Sequence, residues 1–165
     1  MQYLSLMSYA VDGFAFAAES LVGRFSGARD LSKLKQSVRL LFLWGIGLGV
    51  FFALCYGLFG NPLLRVFTDQ VEIIQTAVPY VFWVVIVTIA GSVAYLWDGV
   101  YIGATASVAM RNMMLISTLG VFLPAYYLTI TPLGNHGLWL ALTLFMIARG
   151  LTLGLLAKKN IFTFR

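Results

Sequence analysis

Charge is scarce in this chain. Asp, Glu, Lys and Arg make up only 10% of its 165 residues, against about 25% in an ordinary soluble domain. Cysteine is scarcer still: Cys55 stands alone in an apolar run, which excludes an internal disulfide and a cysteine-based metal framework. There is no Walker A lysine loop, no H-E-x-x-H, no G-x-S-x-G and no Cys/His ligand set. Without a nucleotide site, any pumping must draw on an ion gradient or on another chain. No nucleophile–base set occurs at a plausible spacing, so an intramembrane enzyme is disfavoured and no cofactor is expected. The first apolar stretch has no basic residues before it and holds two acids, unlike a cleavable signal peptide.

What the chain has instead is oil. Apolar residues are 61% and aromatics 15% of the total, and the mean hydropathy is +0.91. This balance points to an integral membrane protein. The net charge of +5 does not argue for nucleic acid, because the basic residues gather at the ends of apolar runs. A helix needs roughly 20 apolar residues to cross the hydrocarbon, and five windows qualify: 3–23, 39–60, 79–107, 112–131 and 137–157. "GNP" at 60–62 is expected to break the second helix, and "TPLGNHG" at 131–137 to make a tight polar turn. "TDQVE" at 68–72 reads as a capping box, with Asp69 as N-cap and Glu72 as its partner, opening a short periplasmic helix near 69–77. Pro79 suits the first turn of the third span, whereas Pro124 falls inside the fourth and should kink it.

Lys and Arg set the orientation. Arg24, Arg29, Lys33, Lys35 and Arg39 follow the first span, Arg111 follows the third, and Lys158, Lys159 and Arg165 close the chain. The intervening turns hold only Arg65, offset by Asp69 and Glu72. The N-terminus is therefore expected outside and the C-terminus in the cytoplasm. Segment 24–38, with Leu31, Leu34 and Val38 on one face and lysines on another, reads as an amphipathic helix lying on the inner leaflet. An odd span count and an external start suggest the C-terminal part of something larger.

The chain also partly repeats itself. "YAVDGFAFA" at 9–17 and "YLWDGVYIG" at 95–103 both read Y-x-x-D-G. Asp12 lies 12 residues before Arg24 and Asp98 lies 13 before Arg111. At helical rise both acids stand roughly 18–20 Å from a basic end, near mid-bilayer. A parallel internal duplication is a pattern of transporter halves. A charged Asp at that depth costs at least ~2.5–3.5 kcal/mol, so it should face a bundle interior or a wet cavity. Asp12 and Glu19 are seven residues apart on one helix face, able to line one cavity at two depths. A packing role stands beside the functional one for each acid, and most of all for Glu19 near the interface. Tyr9 and Tyr95 stand one turn before the aspartates, as cavity-wall or packing residues. Arg149 reads as a residue snorkelling toward the cytoplasmic face, with a salt-bridge partner role as the lesser reading, and His136 as a loop residue. Gly45 and Gly49, Gly99 and Gly103, and Gly150 and Gly154 are spaced for close helix contact.

"DGFAFAAESLVGRFSGARD" at 12–30 resembles the eighth span and following loop of the multidrug and toxic compound extrusion (MATE) transporters, in their DinF branch. "YLWDGVYIGAT" at 95–105 followed by "MRN", and "GNHGLWLALTLFMIARGLTL" at 134–153, resemble the tenth and twelfth spans. The resemblance implies an all-α polytopic fold in which this chain is most of the C-terminal lobe of a twelve-helix transporter of the bacterial inner membrane. It further implies efflux of a small organic compound, cationic or amphipathic, by alternating access. The exchanged ion would be H⁺ or Na⁺, and the partner lobe and seventh helix would lie outside this chain. Some members use an acid on the tenth helix for cation coupling, a place that Asp98 occupies and where Na⁺ binding is conceivable. Those members also use a seventh-helix acid, and others place the acid on the first helix, neither of which is in this chain. The rival readings are a lipid or polysaccharide flippase of the same superfamily, which should show many cavity arginines, and a non-transporting membrane subunit.

Overall fold

In the computed structural model, residues 2–67 and 70–163 are described, and among them every regular element is helical. The first window becomes helix α1 (Gln2–Gly27), the second α2 (Leu31–Phe67), followed by a short α3 (Val71–Ala77). A 3₁₀ turn at Val78–Tyr80 leads into α4 (Val81–Gly103). The fourth window is built of α5 (Ser107–Ser117), a π-helical stretch at Thr118–Phe122 and α6 (Leu123–Leu133), and the fifth becomes α7 (Asn135–Asn160).

Among the described residues four stretches are long and apolar enough to cross a membrane: Leu31–Gly60, Val71–Gly103, Ser107–Leu133 and Asn135–Asn160. Helix α1 has the length, at 26 residues, but Asp12, Glu19 and Arg24 dilute its apolar content. Helix α4 is the hub and packs directly against α1, α2 and α7. Its run "VFWVVIVTIAGSVAYLW" is apolar on all sides, as a helix enclosed by neighbours must be.

Small residues set the spacing and direction of these contacts. A Cβ on Gly99 would strike the backbone of Ala15, and one on Gly103 the backbone of Glu19. Positions rise together along both chains, so α1 and α4 run parallel with their backbones nearly touching. Gly45 faces Leu96 and Gly49 faces Ser92, which makes α2 antiparallel to α4. Gly150 faces Val93 and Gly154 faces Trp97, so α7 runs with α4. The Tyr101 hydroxyl, fully buried, donates to the Leu153 carbonyl across the same seam at 2.8 Å. Helices α1, α4 and α7 thus point one way, and α2 the other.

Several local expectations are corrected. Segment 24–38 is not a separate surface helix: residues 24–27 finish α1, and Leu31 onward opens α2. Leu34 and Val38 are buried in one cluster with Ala18, Val22, Val100, Tyr101, Leu153 and Ala157. Their stripe faces protein, because Leu41 continues it into the span. "GNP" bends α2 rather than ending it. The irregular residue is Phe59 (φ −115°, ψ 21°), and helix resumes through Pro62 to Phe67, as expected where proline removes one ladder bond. The N-cap of α3 is Gln70, which shifts Glu72 out of capping-box register; Asp69 lies outside the described residues. Pro79 sits in the 3₁₀ turn leading into α4. Pro124 stands two residues past the end of the π-helical stretch, where the regular ladder is interrupted. Between α6 and α7 a single residue makes the turn, Gly134 at φ 54° and ψ −130°, a conformation open to glycine.

Asp30 is the N-cap that the sequence reading did not single out. Its Oδ1 accepts the Lys33 backbone N–H at 3.0 Å, and its Oδ2 lies 3.3 Å from Lys33 Nζ. The backbone N–H above all, with the Lys33 side chain, holds this carboxyl below its ordinary value. Because the shift is downward, the capping contribution is complete above the unfolded-state pKa. It is lost as pH falls through the folded one. Hydrogen exchange at the Lys33 amide should accelerate on acidification through that range relative to amides in mid-α2, and Asp30→Ala should show the fast rate already at neutral pH. A second expectation concerns the α1–α4 contact. Gly99→Ala should destabilise the bundle by about 1–3 kcal/mol, the usual cost of overpacking, in a denaturant titration in micelles. Gly47→Ala, where an added Cβ meets nothing within 4 Å, should not.

Candidate functional site

Helical spacing builds the site. On α1, Asp12, Ala15, Phe16 and Glu19 recur at i, i+3, i+4 and i+7, and on α4 Tyr95, Asp98, Gly99 and Ile102 do the same. These two stripes face each other and line a partly open cavity of about 140 Å³, room for more than one water molecule. The cavity exists because Gly99 lets the α1 backbone in beside Asp98. All three acids singled out from the sequence, Asp12, Glu19 and Asp98, therefore share one cavity, and Tyr95 lines it too. Tyr9 does not; its side chain is 77% exposed. Glu19 lies at an exposed position on the cavity rim, while Asp12 is partly covered. Among the described residues no group of three His, Cys, Asp or Glu stands close enough to hold a metal ion. The acids surround the space without closing into a ligand cluster.

Asp98 is not alone in the interior. Arg149 of α7 places Nη2 2.7 Å from Asp98 Oδ2, and the two side chains are only 11% and 15% exposed. Of the two readings of Arg149, snorkelling is corrected and the lesser one, a salt-bridge partner, holds: it is the buried counter-ion of Asp98. Nine residues separate it from Lys158, about 14 Å of helix, too far for its head to reach the basic end. The signal was present in the sequence, since Arg149 directly precedes Gly150 and so belongs to the close-packed face of α7. The contact is single rather than a fork. Asp98 Oδ1 and Arg149 Nε are both buried without a hydrogen-bond partner, where a two-point guanidinium–carboxylate pair would satisfy both. The guanidinium carbon also lies 6.0 Å from the centre of the Phe145 ring, within reach of a cation–π attraction. Phe145 in turn meets Phe122 edge-on, with centroids 6.0 Å apart, in the π-helical stretch.

His136 is likewise no loop residue. It stands in the first turn of α7, where its Nδ1 accepts the Trp83 indole N–H at 2.9 Å, and its ring lies 4.8 Å from that of Tyr80. This group ties the start of α4 to the start of α7, at the opposite end from the Lys and Arg clusters. Aromatic residues at such a level are characteristic of a membrane–water boundary.

Long apolar helices packed around a buried charge pair and a carboxylate-lined cavity define an integral, multi-pass membrane protein with a polar interior site. The chain belongs to the MatE family of transporters: that family's sequence model matches residues 1–128. It is 39% identical over 97% of its length to DNA damage-inducible protein F of Escherichia coli, of which it covers 34%. It is also similar to the chloroplastic Protein DETOXIFICATION 45 of Arabidopsis thaliana, at 22% identity over 88% of this chain and 26% of that protein. The chain thus spans about a third or less of the length of the curated relatives it matches. No solved structure matches it.

Breaking a buried ion pair by removing one partner costs about 3–5 kcal/mol, while removing both is far milder. Asp98→Asn and Arg149→Met should each lower the stability of the bundle in micelles, and the double variant should recover most of the loss. Additive losses would show that the pair contributes no coupling.

Proposed function

We propose that this chain forms most of the C-terminal lobe of a secondary active exporter that expels cationic or amphipathic organic compounds. The exporter works by alternating access, exchanging its cargo for H⁺ or Na⁺ across the bacterial inner membrane. In this reading α1 starts outside and α7 ends in the cytoplasm, where Arg24, Lys33, Lys35, Arg39, Arg111, Lys158 and Lys159 face the positive-inside leaflet. The observation that carries the proposal is the cavity between α1 and α4, into which Asp12, Glu19, Tyr95 and Asp98 converge. Acids inside a helix bundle are expensive and are retained where ions or protons pass. Asp98 is the coupling carboxylate of this reading, with Asp12 and Glu19 lining the approach.

Membership of the MatE family supports an exporter, and the Arabidopsis relative is named for detoxification. A flippase for anionic headgroups would need several interior arginines. Arg149 is the one buried arginine among the described residues, and Asp98 already neutralises it. The other half of the central cavity would come from a second lobe, in the same chain or another.

In the complete transporter, Asp98→Asn should lower gradient-driven export at least tenfold while membrane abundance stays normal. Loss of abundance in parallel with transport would instead make Asp98 a packing element. The 165-residue chain alone, reconstituted in proteoliposomes under an imposed H⁺ or Na⁺ gradient, should move no dye.

A further inference from the structure

Arg149 does more in this arrangement than neutralise a charge. Arginine is a permanent cation in proteins, and here a neighbouring helix delivers one to Asp98. The pairing is incomplete on both sides. One nitrogen meets one oxygen at 2.7 Å, while Oδ1 of Asp98 and Nε of Arg149 are left buried and unmatched. A pair serving only to fasten α4 to α7 gains most from the two-point fork, and this seam is already fastened by the Tyr101–Leu153 hydrogen bond and the Gly150 and Gly154 contacts. Asp98 also lines the cavity that Asp12, Glu19 and Tyr95 share. Its carboxylate therefore has a protein cation on the α7 side and an open space on the α1 side. The guanidinium already lies within cation–π reach of the Phe145 ring on its own helix, 6.0 Å from the ring centre, so that ring can take it up more closely when the carboxylate is neutralised.

We propose that Arg149 is a resident competitor for Asp98, which a monovalent cation entering from the cavity, a proton or Na⁺, must displace onto Phe145. The inference rests on the reading of Asp98 as the coupling carboxylate and adds the residue that sets its affinity. With no cation bound, Arg149 holds Asp98 ionised and the pair is neutral overall. When a proton from cavity water joins the carboxylate, or Na⁺ binds it, the carboxylate's charge is taken and the guanidinium loses its counter-ion. The ring face of Phe145 then attracts it. Arg149 is thus a positioning residue that acts through Asp98. The other charged or titratable groups around Asp98 are Asp12 and Glu19 on α1 and Tyr95 on its own helix. The two acids favour cation entry, so affinity reflects a balance between them and Arg149. Displacement would also reach the π-helical stretch, because Phe145 packs edge-on against Phe122.

The test is made on the complete transporter in proteoliposomes, in two arms: export against pH without Na⁺, and export against Na⁺ at a fixed alkaline pH. Removing the competitor with Arg149→Gln should tighten cation binding. The pH midpoint should rise by about one unit, a tenfold gain in proton affinity, or the half-saturating Na⁺ concentration should fall about tenfold, whichever ion is used. Arg149→Lys, which keeps the charge, should stay near the parent value. An unchanged midpoint in Arg149→Gln, together with abolished coupling in Asp98→Asn, would overturn this inference and leave Asp98 as the coupling acid. Coupling that survives in Asp98→Asn would overturn both. If Arg149→Gln fails to reach the membrane, Phe145→4-fluorophenylalanine in the otherwise unaltered protein gives the decision. Its fluorine resonance should move with pH or Na⁺ at the midpoint of export, and a resonance indifferent to both would refute displacement.

Discussion

Two helix backbones that nearly touch govern the rest of this structure. Where Gly99 and Gly103 of α4 meet Ala15 and Glu19 of α1, no side chain keeps the helices apart, and the acids on the flanking turns are carried to one cavity. Without a hydrophobic force to draw helices together in lipid, such small-residue faces allow the packing that replaces it. The same device recurs where α2 and α7 approach α4. One helix is thereby enclosed on three sides, and α1, the least apolar of the long helices, is held by its contact with that hub.

The charges follow from this geometry. A carboxylate in a membrane interior must find a partner or a wet space, and Asp98 has both: Arg149 on one side and the cavity on the other. The chemistry of the site lies in that two-sidedness. A fully satisfied pair would be inert, and an unpaired acid at this depth would be costly to keep ionised. The link from Arg149 through Phe145 to Phe122 joins the charge pair to a π-helical stretch where the regular ladder fails, just ahead of Pro124. Irregular turns of this kind are frequent at functional sites.

Local chemistry was legible where one residue's effect stays local. A turn was legible in "TPLGNHG", although Gly134 alone makes it, where the backbone needs a positive φ, and Pro124 marks the interrupted ladder because it has no N–H to give. The stripe Leu31, Leu34, Val38 was legible as an apolar face, but not as one facing protein, since a leaflet and a neighbouring helix look alike to a single helix. His136 was misplaced for a related reason: a polar residue between Asn135 and Gly137 reads as loop, until Trp83, 53 residues away, supplies the hydrogen bond that seats it in α7.

The sequence by itself determined the medium, the helical windows, the basic ends and the presence of acids deep in apolar runs. All of these follow from transfer free energies and helical rise, which depend on residue type and spacing alone. Only the tertiary structure decided that Asp12, Glu19 and Asp98 share one cavity and that Arg149 is a buried counter-ion rather than a snorkelling residue. Those facts depend on which helix lies beside which and at what register. In this chain the register is fixed by glycine contacts between helices whose facing residues lie many turns apart along the chain, so no local window of sequence contains them.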